Sequence, residues 1–294
     1  MCWPAIEQDI TVAIARPFTI AHKSSLSGGS INIAFQISDD KTGSKYFVKL
    51  NDMSELPMFE AEADGLRELA ATQAIRIPEP VCAGVSSTHS WLVTEYIQLG
   101  RAQAASSALL GQQLAALHRT TCQNFGWFRD NTIGSTTQIN RQDNNWVAFY
   151  RRHRLKFQLD LAARNGYSGS LQDKGQRLMV GLEQFFESYT PEPSLLHGDL
   201  WGGNCSFDEE GRPVIFDPAV YYGDREADIA MTELFGGFSA EFYAAYNEAW
   251  PLDDGYNVRK NLYNLYHILN HANLFGGSYV SQAESMTDRL LAEI

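Results

Sequence analysis

The stretch Leu195-Leu196-His197-Gly198-Asp199-Leu200-Trp201-Gly202-Gly203-Asn204, followed by Val214-Ile215-Phe216-Asp217-Pro218, constrains this chain more than any other part of it. Two carboxylates and one carboxamide, Asp199, Asp217 and Asn204, fall among short apolar runs. The runs Ser194–Leu196, Asn204–Phe207 and Val214–Phe216 have the length and character of strands, which would fix the three polar groups on rigid backbone. Taken singly, Asp199 and Asn204 are ordinary loop-capping residues, and Asp217 is an ordinary residue before a Pro turn. All three at these spacings point to a site.

Phosphoryl transfer needs these residue types. One carboxylate accepts the proton of the attacking hydroxyl, and a second carboxylate with an amide oxygen holds magnesium against the phosphates. Asp199 and Asn204 match the D-L-x-x-x-N part of a kinase catalytic loop, and Asp217 stands where a protein kinase carries the Asp of D-F-G. That assigns Asp199 as base and Asn204 and Asp217 as magnesium ligands.

The upstream chain supports this reading. Ser24 to Ser30, including Gly28, Gly29 and Ser30, is a run of mostly small residues whose backbone can approach a phosphate closely. Ile31–Ile37 reads as a strand, Ser38–Gly43 as a hairpin turn, and Tyr46–Leu50 as a second strand with Lys49 near its end. A glycine-rich loop alone is weak evidence, and a lysine ending a strand is usually solvent-facing. Upstream of Asp199, their order matches a kinase nucleotide lobe. Met58–Thr72 has helical spacing, with Phe59, Ala63, Leu66, Leu69 and Ala70 on one face. A glutamate of this helix must pair with Lys49 and aim it at the phosphates. Glu62 is preferred, because the run Glu62-Ala63-x-x-Leu66-Arg67-x-Leu69 resembles the corresponding helix of aminoglycoside-phosphotransferase-like kinases, and Glu60 is the alternative. Val81–Val85 and Trp91–Thr94 read as further strands, and Glu95, Tyr96 and Ile97 leave the second as a hinge whose backbone would meet an adenine edge.

The bulk numbers exclude several classes. The 294 residues are 44% apolar with a net charge of -12, and the mean hydropathy is -0.27. Such a chain is long enough for two lobes with their own cores. Its acidity, with no basic stretch to offset it, argues against a nucleic-acid partner and fits an amine-bearing substrate. No apolar run reaches the length of a membrane span. Cys2, Cys82, Cys122 and Cys205 are widely spaced and read as reduced thiols of a cytoplasmic protein.

After residue 98 the pattern turns helical. Leu109, Leu110, Leu114, Leu117 and His118 form an apolar stripe, on which His118 reads as a satisfied core histidine. Phe125–Gln142 is loop-like. Asn144–Asn165 reads as a helix whose basic residues Arg151, Arg152, Arg154 and Lys156 form a solvated face, and Leu171–Tyr189 reads as another. Further helices are expected near Ala227–Leu234, Ala240–Trp250, Val258–Phe275 and Ser281–Ala292. The fold class is α+β: a two-lobed protein-kinase-like fold with a small antiparallel-sheet N-lobe (residues 1–98) that binds nucleotide and a larger helical C-lobe (residues 99–294) that carries catalysis.

Several longer stretches, Leu196 to Asn204, Phe216-Asp217-Pro218-Ala219, Tyr222-Gly223-Asp224-Arg225-Glu226-x-Asp228, Phe125-Gly126-Trp127, Asp130-Asn131-x-Ile133-Gly134 and Leu274-Phe275-Gly276-Gly277, resemble the fructosamine kinase (ketosamine kinase) family across nearly the whole chain. The His-Gly-Asp-x-x-x-x-Asn core is common to many small-molecule kinases, whereas the Trp after Asp199-Leu200 and the Gly-Asp-Arg-Glu stretch are far more specific. The resemblance implies ATP-dependent, magnesium-assisted phosphorylation of the sugar 3-hydroxyl of a ketosamine, free or on a glycated protein, after which the phosphate ester decomposes and frees the amine. Its site would use Asp199, Asn204, Asp217, Lys49 and Glu62 in the roles given above. Trp201, two residues past Asp199, would cover the sugar, with His271 walling the other side. A monomer or weak dimer is expected. The competing readings are another small-molecule kinase of the same fold, acting on choline, an aminoglycoside or an amino alcohol, and a catalytically dead nucleotide-binding protein.

Overall fold

A computed structural model describes residues 2–26 and 31–294. Gly28, Gly29 and Ser30 lie outside the described residues. The chain opens with helix α1 (Trp3–Ala13) and continues through strands β1 (His22–Leu26), β2 (Ile33–Ser38) and β3 (Lys45–Asp52). Helix α2 (Leu56–Ala71) follows, and β4 (Pro80–Val85) and β5 (His89–Glu95) complete an antiparallel sheet in the order β1-β2-β3-β5-β4. The first strand takes in Ser24–Leu26, the start of the small-residue run expected to be a loop. It is a polar, exposed edge strand without the alternation that marks a half-buried one.

Alternation in β3 decides where Lys49 points. Successive strand residues face opposite sides of a sheet. Tyr46, Val48 and Leu50 join Ile6 and Ile10 of α1, Ile37, and Trp91 and Val93 of β5 in one apolar cluster. Phe47 and Lys49 therefore face the other side, where the sheet borders the helical part of the molecule. Leu92, in register with Lys49, sits on that side too and joins the larger core with Phe59, Ala63, Leu66 and Leu69 of α2.

The helical part begins with α3 (Ser106–His118). The loop-like stretch 125–142 contains a small hairpin, β6 (Asn131–Ile133) with β7 (Thr136–Gln138). The next helical stretch runs as α4 (Trp146–Tyr150), a π-helical turn over Arg151–Lys156, and α5 (Phe157–Arg164). Here one expectation is overturned. Arg154 is not on a solvated face but fully buried. Its guanidinium lies 4.1 Å from the Tyr221 ring centroid and donates to the Ile139 carbonyl at 2.6 Å and to Asn140 Oδ1 at 2.8 Å. The π-helical turn shifts the register of the helix faces, and the buried cation is stabilised by stacking and hydrogen bonds.

Helix α6 (Ser170–Val180) precedes two antiparallel pairs that frame the Asp199 region. Strand β8 (Ser194–Leu196) pairs with β11 (Tyr221–Gly223), and β9 (Cys205–Phe207) pairs with β10 (Pro213–Ile215). Helices α7 (Glu226–Leu234), α8 (Ala240–Ala249), α9 (Tyr256–Phe275) and α10 (Ser278–Leu291) close the chain. Helix α3 packs tightly on α8: a Cβ added to Gly111 would come within 2.3 Å of the Phe242 carbonyl oxygen. Among the described residues, no helix is long and apolar enough to cross a membrane. The four cysteines are free.

Candidate active site

Between the sheet and the helical part lies a cavity of about 630 Å³, lined by Lys49, Glu62, Asp199, Trp201, Asn204 and Asp217 among others. Lys49 Nζ lies 2.6 Å from Glu62 Oε1 and 2.6 Å from Asp217 Oδ1. The choice between the two glutamates is thereby decided: Glu60 instead faces Arg129, at 3.6 Å, beside the closer Arg129–Asp64 pair at 2.7 Å. Burial alone would lower the pKa of Lys49, but the Asp217 and Glu62 carboxylates outweigh it and raise it, so the ammonium stays charged. Burial pushes Glu62 upward against the pull of Lys49.

Asp217 sits at a φ of +57°. Left-handed backbone at a residue other than glycine costs energy, and such strain gathers at functional sites. Here it ends the strand β10 and turns the carboxylate toward Lys49. Asp199 follows a glycine for a related reason. Gly198 has a φ of +82°, and a Cβ there would lie 2.0 Å from the Ala219 carbonyl oxygen. The loop bearing Asp199 and the loop bearing Asp217 therefore approach at backbone contact distance.

Asn204 joins the Asp199 and Asp217 loops. Its amide nitrogen donates to the Asp199 carbonyl at 2.9 Å, to Asp199 Oδ2 at 3.2 Å and to the Asp217 carbonyl at 3.4 Å. This orientation leaves the amide oxygen as the atom available for a cation. Burial, with the Asp217 charge adding to it, raises the Asp199 carboxyl to about 7, against the opposing bond from Asn204. A carboxylate tuned to that range is suited to proton transfer near neutrality.

His197 is a brace for the loop. Its Nε2–H donates to the Phe216 carbonyl at 2.9 Å, and Nδ1 accepts the Asp199 N–H at 3.3 Å, a neutral tautomer set by those partners. Burial lowers its pKa and keeps it neutral. Behind the Asp217 loop, Asn131 Nδ2 donates to the Val220 carbonyl at 2.8 Å and Gln138 Nε2 to the Ala219 carbonyl at 3.0 Å. The Asp-Asn-x-Ile-Gly loop thus holds Asp217 in place.

The hinge segment lines the cavity with Glu95, Tyr96 and Ile97. The Glu95 N–H is already donated to the Glu79 carbonyl at 2.8 Å, and its side chain pairs with Arg76 at 2.7 Å. Arg76 also reaches Asp208 at 3.2 Å, so Glu95 ties the sheet to the helical part. Trp201 lines the cavity and is 41% exposed, which makes it a wall and not core packing. His271 does not line it. Phe235 stands between them, with ring centroids 6.4 Å from Trp201 and 5.0 Å from His271.

The residues fit a magnesium ion in one specific sense. Among the described residues, no three His, Cys, Asp or Glu cluster as a self-sufficient metal site. One carboxylate and one amide oxygen are what a hard cation needs from the protein when phosphates complete its shell.

The profile of the fructosamine kinase family matches residues 2–293. The chain belongs to that family. A provisionally named ketoamine kinase of Synechocystis sp. is 48% identical over 290 residues, covering 98% of this chain and 97% of its own. The chloroplastic protein-ribulosamine 3-kinase of Oryza sativa subsp. japonica is 45% identical over 271 residues, covering 91% of this chain and 78% of its own. A crystal structure provisionally named fructosamine-3-kinase, from Haemophilus somnus 129PT, superposes with a TM-score of 0.89 at 32% identity, covering 98% of this chain and 97% of that one. The aminoglycoside phosphotransferase APH(4)-Ia shares the fold, with a TM-score of 0.62 at 18% identity and 98% coverage of both chains. The architecture is therefore the α+β, protein-kinase-like one, and a member of this family is an ATP-dependent phosphotransferase acting on a hydroxyl.

Proposed function

We propose that this chain phosphorylates the 3-hydroxyl of ketosamines, free or on glycated proteins, using ATP and magnesium. The observation that carries the reading is the convergence of Lys49–Glu62, Asp199–Asn204 and Asp217 on one cavity in a chain of this family. Residues 1–98 would form the nucleotide lobe, with Gly28, Gly29 and Ser30 over the phosphates and Glu95, Tyr96 and Ile97 beside the base. Residues 99–294 would carry the chemistry. The protein would act in the cytoplasm as a monomer or weak dimer, with no nucleic-acid partner.

Asp199 takes the proton of the sugar hydroxyl. Asn204 holds Asp199 by its amide N–H, and its amide oxygen together with the Asp217 carboxylate would hold the magnesium ion. Lys49, kept charged and aimed by Glu62, contacts the phosphates. The bound metal supplies neutralisation of the charge that develops on the transferring group. Trp201 covers the apolar face of the sugar and excludes water.

A substrate panel tests this reading. Ribulosamine, erythrulosamine and fructosamine conjugates are assayed with ATP beside choline and kanamycin. Turnover of ketosamines alone is expected. Turnover of choline or kanamycin in their place would assign another small-molecule kinase of the same fold, and ATP binding without any turnover would assign a dead nucleotide binder.

A further inference from the structure

The sequence Leu-Phe-Gly-Gly occurs twice, at residues 234–237 and 274–277. Each copy ends a helix, α7 at Leu234 and α9 at Phe275. All four glycines have positive φ: 73° and 101° in the first pair, 65° and 62° in the second. Two successive left-handed residues turn the chain sharply, and each turn leaves its phenylalanine uncovered, Phe235 at 41% exposure and Phe275 at 60%.

The two turns converge on one histidine. The His271 ring centroid lies 5.0 Å from Phe235, 5.6 Å from Phe275 and 5.1 Å from Tyr279. At the inner end, Phe235 meets Trp201 edge-on at 75°. Five rings therefore form a continuous shelf that begins at the cavity wall and runs outward along α9 and α10. The first turn is seated against the Asp199 loop, since a Cβ on Gly237 would lie 3.1 Å from the Gly202 Cα. The position of Phe235 relative to Asp199 is thus set by backbone packing. His271 donates its Nδ1–H to the His267 carbonyl at 2.8 Å, which leaves the Nε2 lone pair as an acceptor amid the rings.

Scattered exposed rings are ordinary, but a contiguous aromatic row continuous with a catalytic cavity marks a binding surface. We propose that this shelf is the subsite for the substituent on the ketosamine nitrogen, and that it favours amines carrying an aromatic or apolar group. The assignment rests on the ketosamine reading. With the sugar under Trp201 and its 3-hydroxyl at Asp199, the amine end must leave the cavity, and the shelf is the surface continuous with Trp201. Flat rings accept an aromatic or methylene-rich group by stacking and water exclusion.

The test compares two adducts of one ketose, made from methylamine and from phenethylamine, in steady-state kinetics with ATP saturating. Wild type is expected to show a kcat/KM about five- to tenfold higher for the phenethylamine adduct, mainly through KM, the size expected of one well-placed aromatic contact. Phe275→Ala, at an exposed position whose loss the fold tolerates, should reduce that ratio to about twofold or less, and Phe275→Tyr should retain it. Equal kcat/KM for the two adducts in wild type, or equal losses on both in Phe275→Ala, overturns the proposal. If wild type turns over neither adduct yet binds ATP, the ketosamine reading itself falls, and the shelf's occupant with it.

Discussion

His118 holds Asp228, and through it the backbone of the loop that carries Asp199. The His118 Nε2–H reaches Asp228 Oδ2 at 3.2 Å, while the same carboxylate accepts the His197 N–H at 2.7 Å and the Gly198 N–H at 2.8 Å. The far side of the imidazole accepts from the Tyr246 hydroxyl at 2.8 Å. Burial alone would raise Asp228, but the His118 contact and the backbone bonds outweigh it and hold the carboxyl below its usual range. Asp228→Ala would leave two buried N–H groups and a buried histidine without their partner. It should cost about 3–5 kcal/mol of stability, the range for breaking a buried charged contact. Asp228→Asn keeps one acceptor oxygen and should fold, but with a lowered kcat because the loop is less firmly placed. Denaturant unfolding and steady-state kinetics of both variants check this. A fully active Asp228→Ala would show that the loop is held by other contacts.

Asp199→Asn should reduce kcat by about 10²–10⁴-fold, the usual value of general-base assistance, with ATP binding nearly intact. The substitution preserves an acceptor for the Asn204 amide and removes only the basic carboxylate. Kinetics beside a nucleotide-binding titration separate the two effects. A variant retaining half the wild-type rate would sink the assignment.

On the proposed function Asp217 combines two demands, a charge for magnesium and the left-handed backbone observed at φ +57°. Asn tolerates that backbone better than most residues, so Asp217→Asn isolates the charge. The variant should fold like wild type yet need a much higher magnesium concentration for half-maximal rate. An unchanged magnesium titration would place the metal elsewhere.

His267 contributes a loss of stability on mild acidification, opposed by Asp199 and Glu226, whose burial-raised carboxyls take up protons in the fold before they would in the unfolded chain. Burial, helped by the neighbouring His271, lowers the His267 pKa to about 3 in the fold, against about 6.5 in an unfolded chain. Above pH 6.5 both states hold it neutral and nothing changes. Below that, the unfolded state binds a proton that the folded state refuses, so stability is lost as pH falls from about 6.5 toward 3. At pH 5.5 the loss from this one group is about 1.4 kcal/mol, one pH unit below the unfolded value. His267→Gln should remove this loss, shifting the slope of stability between pH 7 and 5 toward greater stability on acidification relative to wild type. An unaltered slope in that variant would show that other groups carry the dependence.

How far the sequence could reach is clearest at Lys49 and Arg154. Lys49 was legible because strand alternation and the motif order agree, and both are local in sequence. The partner glutamate on α2 was narrowed to two because helical spacing fixes a face only to within a turn. Arg154 misled because nothing local distinguishes it from Arg151 or Arg152. What buries it are Ile139, Asn140 and Tyr221, brought in by other segments, together with a π-helical turn that no residue type announces. The strands β6, β7 and β11 have only three residues each, too short for a periodicity to appear. Likewise Phe235, which separates Trp201 from His271, carries no chemical motif of its own. Its exposure follows from the glycine pair behind it, a signal that the repeated Leu-Phe-Gly-Gly would have supplied.

Trp201 is the residue at which substrate binding separates from folding. Its ring is partly exposed, touches Phe235 edge-on and lies over Gly203, where a Cβ would come within 2.3 Å of the indole. Trp201→Ala therefore removes a wall of the cavity without opening the buried core, and the protein should retain its circular dichroism. On the proposed function Trp201 would cover the sugar in ground state and transition state alike, so the loss should appear mainly in KM for the ketosamine, with kcat changing less. KM for ATP should move little, because on the proposed function the nucleotide would be held by the sheet and hinge. Steady-state kinetics with each substrate varied in turn decides the matter: equal damage to both KM values would mean that Trp201 supports the Asp199 loop instead of the sugar. Gly203→Ala offers the reciprocal check, since the added methyl must displace the indole. It should reproduce the ketosamine KM defect while leaving the tryptophan in place.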